Sequence, residues 1–288
     1  MKILVLGVTG MLGYSLFSNL KEDCTLSVYG TARSILNKGD FFKYYTDSII
    51  TNVDVYNWDT ISNVFLKIKP DIVINCIGLI KQHSISKQYI DAIEINSLLP
   101  HRLAELCDEY NAKLIHFSTD CVFSGDQGMY GNDAEANSTD LYGRSKALGE
   151  ISYGNHLTLR TSIIGHELNT KVSLVDWFLS QDKESNGYCN AIFSGLPTCY
   201  IAKLLKDKIL KKQDLNGIYN LSVNPIDKYT LLRLISDIYG KDIIINKYED
   251  FYIDRSLNSE VLREIIDFSP PEWRDLIKDM HTDFLKRY

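Results

Sequence analysis

Apolar positions along the first 165 residues switch repeatedly between two periods. Residues 2–8 (KILVLGV) form a short β-branched run, and residues 11–20 (MLGYSLFSNL) carry apolar side chains at helical spacing. Strands are predicted over 26–33 (LSVYGTAR) and 50–55 (ITNVDV), with a helix over 60–69 that Pro70 stops. The run 71–78 (DIVINCIG) is almost continuously apolar, as a strand covered on both faces must be. A helix over 96–110 with Pro100 in its opening turn, a strand over 112–120, a helix over 141–151 and a strand over 157–165 follow. Repeated β-α units with short connections predict a parallel, doubly wound sheet with right-handed crossovers. Beyond residue 165 the alternation weakens. Helices are expected over 175–181, 200–212, 228–240, 260–267 and 273–288, and strands over 217–223 and 242–248.

Composition narrows the class. The chain has 288 residues, 45% hydrophobic and 24% charged, ordinary values for a globular protein with a real core. Its net charge of −6 argues against a nucleic-acid partner, which requires a basic stripe. The six cysteines show no CxxC spacing and fit a reduced compartment. No apolar stretch approaches the roughly 20 residues of a membrane helix. Met1-Lys2 runs directly into a strand with no leader. The expectation is a cytoplasmic protein without a membrane association. The six histidines lack HxxxH and HxxE spacing, so no metal site is expected.

Between the first strand and helix, Gly7, Gly10 and Gly13 are spaced G-x-x-G-x-x-G. Glycine permits a tight turn and close backbone approach, and the helix start at Met11 and Leu12 offers free N–H groups to a pyrophosphate. This placement predicts a dinucleotide site on a Rossmann-type sheet. The second predicted strand ends Thr31-Ala32-Arg33-Ser34, without the acidic residue that holds a ribose 2′-hydroxyl. Arg33 suits a 2′-phosphate, so NADPH is expected, with NADH as the other choice. Asp54, before Val55, either accepts a hydrogen bond from an adenine amino group or caps a turn.

A second group can move a proton. Ser118-Thr119 close a predicted strand, and Tyr142 and Lys146 lie one helical turn apart. A lysine ammonium near a phenol favours phenolate and lowers its pKa. Ser118 or Thr119 is placed to hold a substrate oxygen. Tyr-x-x-x-Lys alone arises easily in a chain with 18 tyrosines. Its position after a strand-end STD and downstream of a glycine loop makes it a candidate catalytic pair.

These words carry a family resemblance. GVTGMLG, NCIG (75–78), STDCVFSG (118–125), DLYGRSKALGE (140–150), LRTSIIG (159–165), GLPT (195–198) and GIYNLS (217–222) resemble, in order, the extended short-chain dehydrogenase/reductases. The closer similarity is to the dTDP-4-dehydrorhamnose reductase (RmlD-like) branch. The resemblance implies an NAD(P)H-dependent reductase of the 4-keto group of a nucleotide-linked 6-deoxyhexose, serving bacterial surface polysaccharide precursors. It implies Thr119, Tyr142 and Lys146 as the catalytic set, with Tyr142 as proton donor, Lys146 also on the nicotinamide ribose, and Asn75 and Gly78 lining the cofactor trough. It divides the chain into an NAD(P)-binding domain over 1–165 and a smaller, mainly substrate-binding α/β lobe over 166–288, the chain returning to the first around 195–223. A homodimer is the family-level expectation.

The chain departs from the pattern at DRSLNSEVLREIIDFSPPEWRDLIKDM (254–280), where an Arg-Pro before the Ser and Leu is usual, and at NCIGLIKQH (75–83). These departures resemble a sub-branch, some of whose members act on UDP-linked 2-acetamido-2,6-dideoxy-4-ketohexoses. The nucleotide, the C2 substituent and the product stereochemistry stay open. For the substrate diphosphate, Arg255 is the first candidate and Lys81 the second. Thr198 either touches the sugar or caps the following helix. Arg160, inside an apolar strand, calls for a structural partner. Two alternatives are an epimerase of the same superfamily, which consumes no net NADPH, and a non-catalytic NADP-binding regulatory subunit.

Overall fold

The computed structural model describes residues 1–79 and 88–288. Seven parallel strands form the central sheet. In chain order they are β1 (Lys2–Leu6), β2 (Ser27–Thr31), β3 (Ile49–Ile50), β4 (Ile72–Asn75), β5 (Lys113–Thr119), β6 (Leu157–Thr161) and a last strand, Gly217–Asn220. Their spatial order is the last strand, then β6, β5, β4, β1, β2 and β3. The order reverses between β1 and β4, and ligands of such sheets bind beyond the strand ends at that switch. The expected Rossmann-type, doubly wound α/β sheet is the observed one.

Two apolar layers sandwich the sheet. One joins Val5, Val28, Ile74, Ile115 and Leu159 to α1 (Met11–Leu20), the Thr198–Asp207 helix and the Trp273–Arg287 helix. The other joins Leu4, Leu6, Val73 and Leu114 to the Trp58–Ile68 and Leu99–Glu109 helices. Alternate residues of β1 and β4 therefore point into opposite layers, which explains their unbroken apolar runs.

The Gly217–Asn220 strand pairs in parallel with β6, so chain from beyond residue 165 completes the central sheet. The remaining strands form small separate sheets. Ile226–Asp227 and Ile253–Asp254 flank Ala191–Phe193 in a three-stranded sheet, and Ile244–Tyr248 pairs in parallel with Glu184–Tyr188. Among the described residues no helix is long and apolar enough to cross a membrane.

Three local readings are corrected. The third strand is only Ile49–Ile50, because Asn52 turns the chain at φ 60° and the Asp54 carboxylate accepts the Tyr56 N–H at 3.1 Å. The helix expected from residue 96 begins at Tyr89 and widens into π-helical turns over Ile93–Leu98. Its first turns carry the exposed Tyr89 and Ile90, so no amphipathic stripe announces them. The strands Glu184–Tyr188 and Ala191–Phe193 lie in a stretch that carries no clear alternation.

Candidate active site

The loop between β1 and α1 shows why each glycine is there. Gly7 has φ +84°, and a Cβ on it would lie 2.8 Å from Ile77 Cγ1. A Cβ on Gly13 would lie 2.1 Å from the Gly7 carbonyl oxygen, so only glycine lets α1 pack on the turn. Gly10 is exposed, and a Cβ there would meet nothing closer than Gly7 O at 3.6 Å. The first intrahelical bond is Tyr14 N–H to Gly10 O, which leaves the N–H groups of Met11, Leu12 and Gly13 ahead of it. An open backbone face at a helix N-terminus fits a dinucleotide pyrophosphate.

Around this loop the structure places the other cofactor candidates unequally. Arg33 is exposed just past β2, and its carbonyl accepts the Asn52 N–H. Asp54 is tied into its own turn: its N–H donates to Thr60 Oγ1 and its carboxylate accepts from Tyr56 N–H. The turn-capping alternative therefore describes Asp54 in this structure. Val55 packs at the edge of the apolar layer. Asn75, buried at the end of β4, accepts the Ile77 N–H at 3.0 Å, while its amide meets His116 Nδ1 at 3.2 Å. Gly78 stands open: a Cβ on it would lie 3.5 Å from Asn96 Oδ1 and 3.9 Å from Lys146 Nζ. Lys81 lies outside the described residues.

Thr119 ends β5, and its hydroxyl donates to Asp120 Oδ1 and accepts the Cys121 N–H, each at 3.1 Å. Tyr142 sits in the first turn of the Leu141–Leu148 helix, whose N-cap Asp140 accepts the Gly143 N–H at 2.8 Å. Burial pushes the Tyr142 phenol well above its ordinary value. Cys121 adds to the rise, and a hydrogen bond with Thr119 opposes it. Lys146 is buried and donates to the Phe117 carbonyl at 2.7 Å. Burial lowers its pKa to about 8, against the pull of the Glu150 carboxylate. In this arrangement Lys146 is not among the groups acting on the Tyr142 phenol. Desolvation of the phenol outweighs any ammonium field, and the ammonium is turned toward the backbone of β5.

Ser118 and Thr119 have different partners. Ser118 donates to Glu150 Oε1 at 2.7 Å, within a buried pair in which Arg160 Nε and Nη2 meet Glu150 at 2.9 and 2.8 Å. Arg160 thus has its structural partner. Thr119 is the hydroxyl beside the phenol.

Sequence reading passed over Asn96. It lies in the π-helical turns, accepts the Leu79 N–H at 2.9 Å and donates to Ser145 Oγ at 3.2 Å, fixing the backbone beside Gly78. Its signal was a buried polar residue within an apolar helix, a spacing that periodicity alone reads as a helix start.

The substrate candidates separate. Arg255 donates from Nε to Phe123 O at 2.9 Å and from Nη2 to Ser124 O at 3.2 Å, clamping the turn after β5. Thr198 opens its helix without a side-chain cap; Pro197 holds the cap position. Thr198 is buried against Gly165, where an added Cβ would lie 2.6 Å from its Oγ1 and 3.5 Å from Met11 Cγ. It therefore faces the glycine-loop side, and the capping alternative is set aside.

The fold and these side chains define a dinucleotide-binding α/β protein with a Thr-Tyr-Lys group at the strand ends. The model of the RmlD substrate binding domain family matches residues 1–187, and the chain belongs to that family. The dTDP-4-dehydrorhamnose reductase of Escherichia coli K12 is 26% identical over 233 residues, 77% of this chain and 72% of that protein. The methionine adenosyltransferase 2 subunit beta of Danio rerio is 25% identical over 256 residues, 83% of this chain and 74% of that protein. The crystal structure of a Bacillus anthracis dTDP-4-dehydrorhamnose reductase in complex with NADP superposes with a TM-score of 0.79. It is 19% identical, covers 98% of this chain and 99% of that one, and shares the fold.

Proposed function

We propose that this protein is an NADPH-dependent reductase of the 4-keto group of a nucleotide-linked 6-deoxyhexose. The observation that carries the reading is the grouping of Thr119, at the end of β5, with Tyr142 and Lys146 of the Leu141–Leu148 helix, on the same sheet as the open glycine loop after β1. Family membership and the named activity of the Escherichia coli relative support it. Bound NADPH supplies the hydride. Gly10 and the N–H groups of Met11, Leu12 and Gly13 take the pyrophosphate, Arg33 the 2′-phosphate, and Val55, Asn75 and Gly78 line the trough. Asp54 borders the adenine side through its turn. Thr119 orients the substrate oxygen. Tyr142 donates a proton to that oxygen as negative charge develops on it, a contribution typically of ~10²–10⁴ in rate. A phenol kept protonated by burial is a competent donor for this step. Lys146, still an ammonium below about pH 8, would hold the nicotinamide ribose.

Residues 1–165, with the returning segment 195–223, are assigned to the cofactor; the rest mainly serves the sugar nucleotide. We assign the protein to the cytoplasm, as a homodimer without a nucleic-acid partner. A regulatory, non-turning-over subunit is the second reading, favoured by the similarity to the methionine adenosyltransferase subunit. The intact Thr119, Tyr142 and Lys146 weigh against it, because binding alone does not require them. Incubation with NADPH and dTDP- or UDP-linked 4-keto-6-deoxyhexoses separates the two. Oxidation of NADPH with a reduced sugar product supports the reductase; binding without oxidation supports the regulatory subunit.

A further inference from the structure

One side chain outside the expected set lies within electrostatic reach of Asp120 and Cys121, the residues that follow Thr119. Lys228 opens the Lys228–Tyr239 helix and is half-buried. It follows Asp227, which pairs with Ile192 from one edge of the three-stranded sheet; Asp254 pairs with the same Ile192 from the other edge. Lys228 and Arg255, each one residue further on, are thus carried to one place by two strands flanking a common partner.

The two acids beside them are already used. Asp227 accepts the Thr230 N–H at 2.8 Å and the Thr230 hydroxyl at 2.7 Å. Asp254 accepts the Ser256 N–H at 2.9 Å. Arg255 is committed to the carbonyls of Phe123 and Ser124. Lys228 differs: among the described residues its ammonium makes no hydrogen bond or ion pair, and its electrostatic neighbours are Asp120, Cys121 and Arg255. Asp120 and Cys121 directly follow Thr119, and they are also the neighbours that act on the Tyr142 phenol.

Two cations face one carboxyl, Asp120, whose burial opposes its ionisation. A partly desolvated ammonium without a partner costs free energy that an anion at this spot recovers.

We propose that Lys228 is a substrate-binding residue that takes an anionic oxygen of the nucleotide sugar's diphosphate, while Arg255 positions the turn after β5. The assignment rests on the nucleotide-sugar reading of the site. It departs from the sequence expectation, which gave the diphosphate to Arg255.

The test is calorimetric titration of the NADP⁺-saturated full chain with UDP, dTDP, UDP-glucose and UDP-glucuronate, in wild type, Lys228→Met and Lys228→Arg. Loss of one charge-assisted contact is expected to weaken binding about tenfold in Lys228→Met. Lys228→Arg should stay within about threefold of wild type by keeping the charge, and NADP⁺ affinity should be equal in all three. A loss shared by UDP or dTDP and the sugar nucleotides supports the proposal; a loss confined to UDP-glucuronate overturns it. Unchanged affinities in Lys228→Met, or no binding of any of the four to wild type, overturn the proposal. Oxidation of NADPH by wild type with a 4-keto sugar nucleotide tests the reductase reading separately, so the two fail distinguishably.

Discussion

The glycine loop, Asn75 and Thr119 stand on β1, β4 and β5, strands of five, four and seven residues covered on both faces. Lys228 and Arg255 follow Ile226–Asp227 and Ile253–Asp254, strands of two residues each that flank the three-residue Ala191–Phe193. On the first side, side chains are held by buried backbone and by the Glu150–Arg160 pair. On the second, they are held by turns, caps and the Arg255 clamp. The difference separates rigid from locally held positions. The doubly covered strands fix the candidate proton-transfer group, and the short strands present Lys228 and Arg255 from turns and caps.

The largest expected effect falls on the fixed side. Tyr142→Phe removes the proton donor and should lower kcat by about 10²–10⁴ with cofactor affinity kept. Steady-state rates together with NADPH binding check this; near-normal turnover would remove the mechanism. Arg160→Leu leaves the buried Glu150 carboxylate uncompensated and should cost about 3–5 kcal/mol in denaturant unfolding. Gly13→Ala pushes a methyl into the Gly7 carbonyl and should cost about 1–3 kcal/mol while weakening NADPH binding.

A pH profile sharpens the comparison further. The folded-state pKa of Lys146 is lowered to about 8, so its ammonium is lost as pH rises through 8 and kcat/KM should fall above it. Glu150→Gln removes the carboxylate that holds this value up and should move the limb to lower pH. The linkage sign is opposite to that of an ion-paired lysine. Between pH 8 and the unfolded value of about 10.4, the unfolded chain holds more protons, so this group makes stability rise with pH. The smallest effect belongs to the exposed Arg274–Asp237 pair, 2.6 Å apart with both side chains more than half exposed. Arg274→Ala should change the unfolding free energy by less than about 1 kcal/mol.

The same contrast governs what could be read before any coordinates. Strands buried on both faces write themselves as apolar runs, so β1, β4, β5 and β6 were legible, and with them the positions of Gly7, Asn75, Thr119 and Tyr142. The helix start at Tyr89 was not, because its apolar side chains face outward. Nor were the short strands around Asn190, whose pairing is set by partners distant in sequence rather than by a local period. Residue types gave Tyr142 and Lys146, but their states depend on burial. Spacing shows that two side chains share a helix face; it does not show that desolvation raises the phenol while the ammonium turns to Phe117 O. Lys228 lies one step further out of reach, since its meaning comes only from the two strands that bring it to Asp120.

The central claim is reduction of a sugar ketone with Tyr142 as donor. Its most direct measurement is the NADPH absorbance on addition of dTDP- and UDP-linked 4-keto-6-deoxyhexoses to wild type and to Tyr142→Phe. The account predicts a stoichiometric fall with one of these sugars in the wild type and almost none in the variant. A steady absorbance in the wild type with every sugar, despite tight NADPH binding, would contradict it.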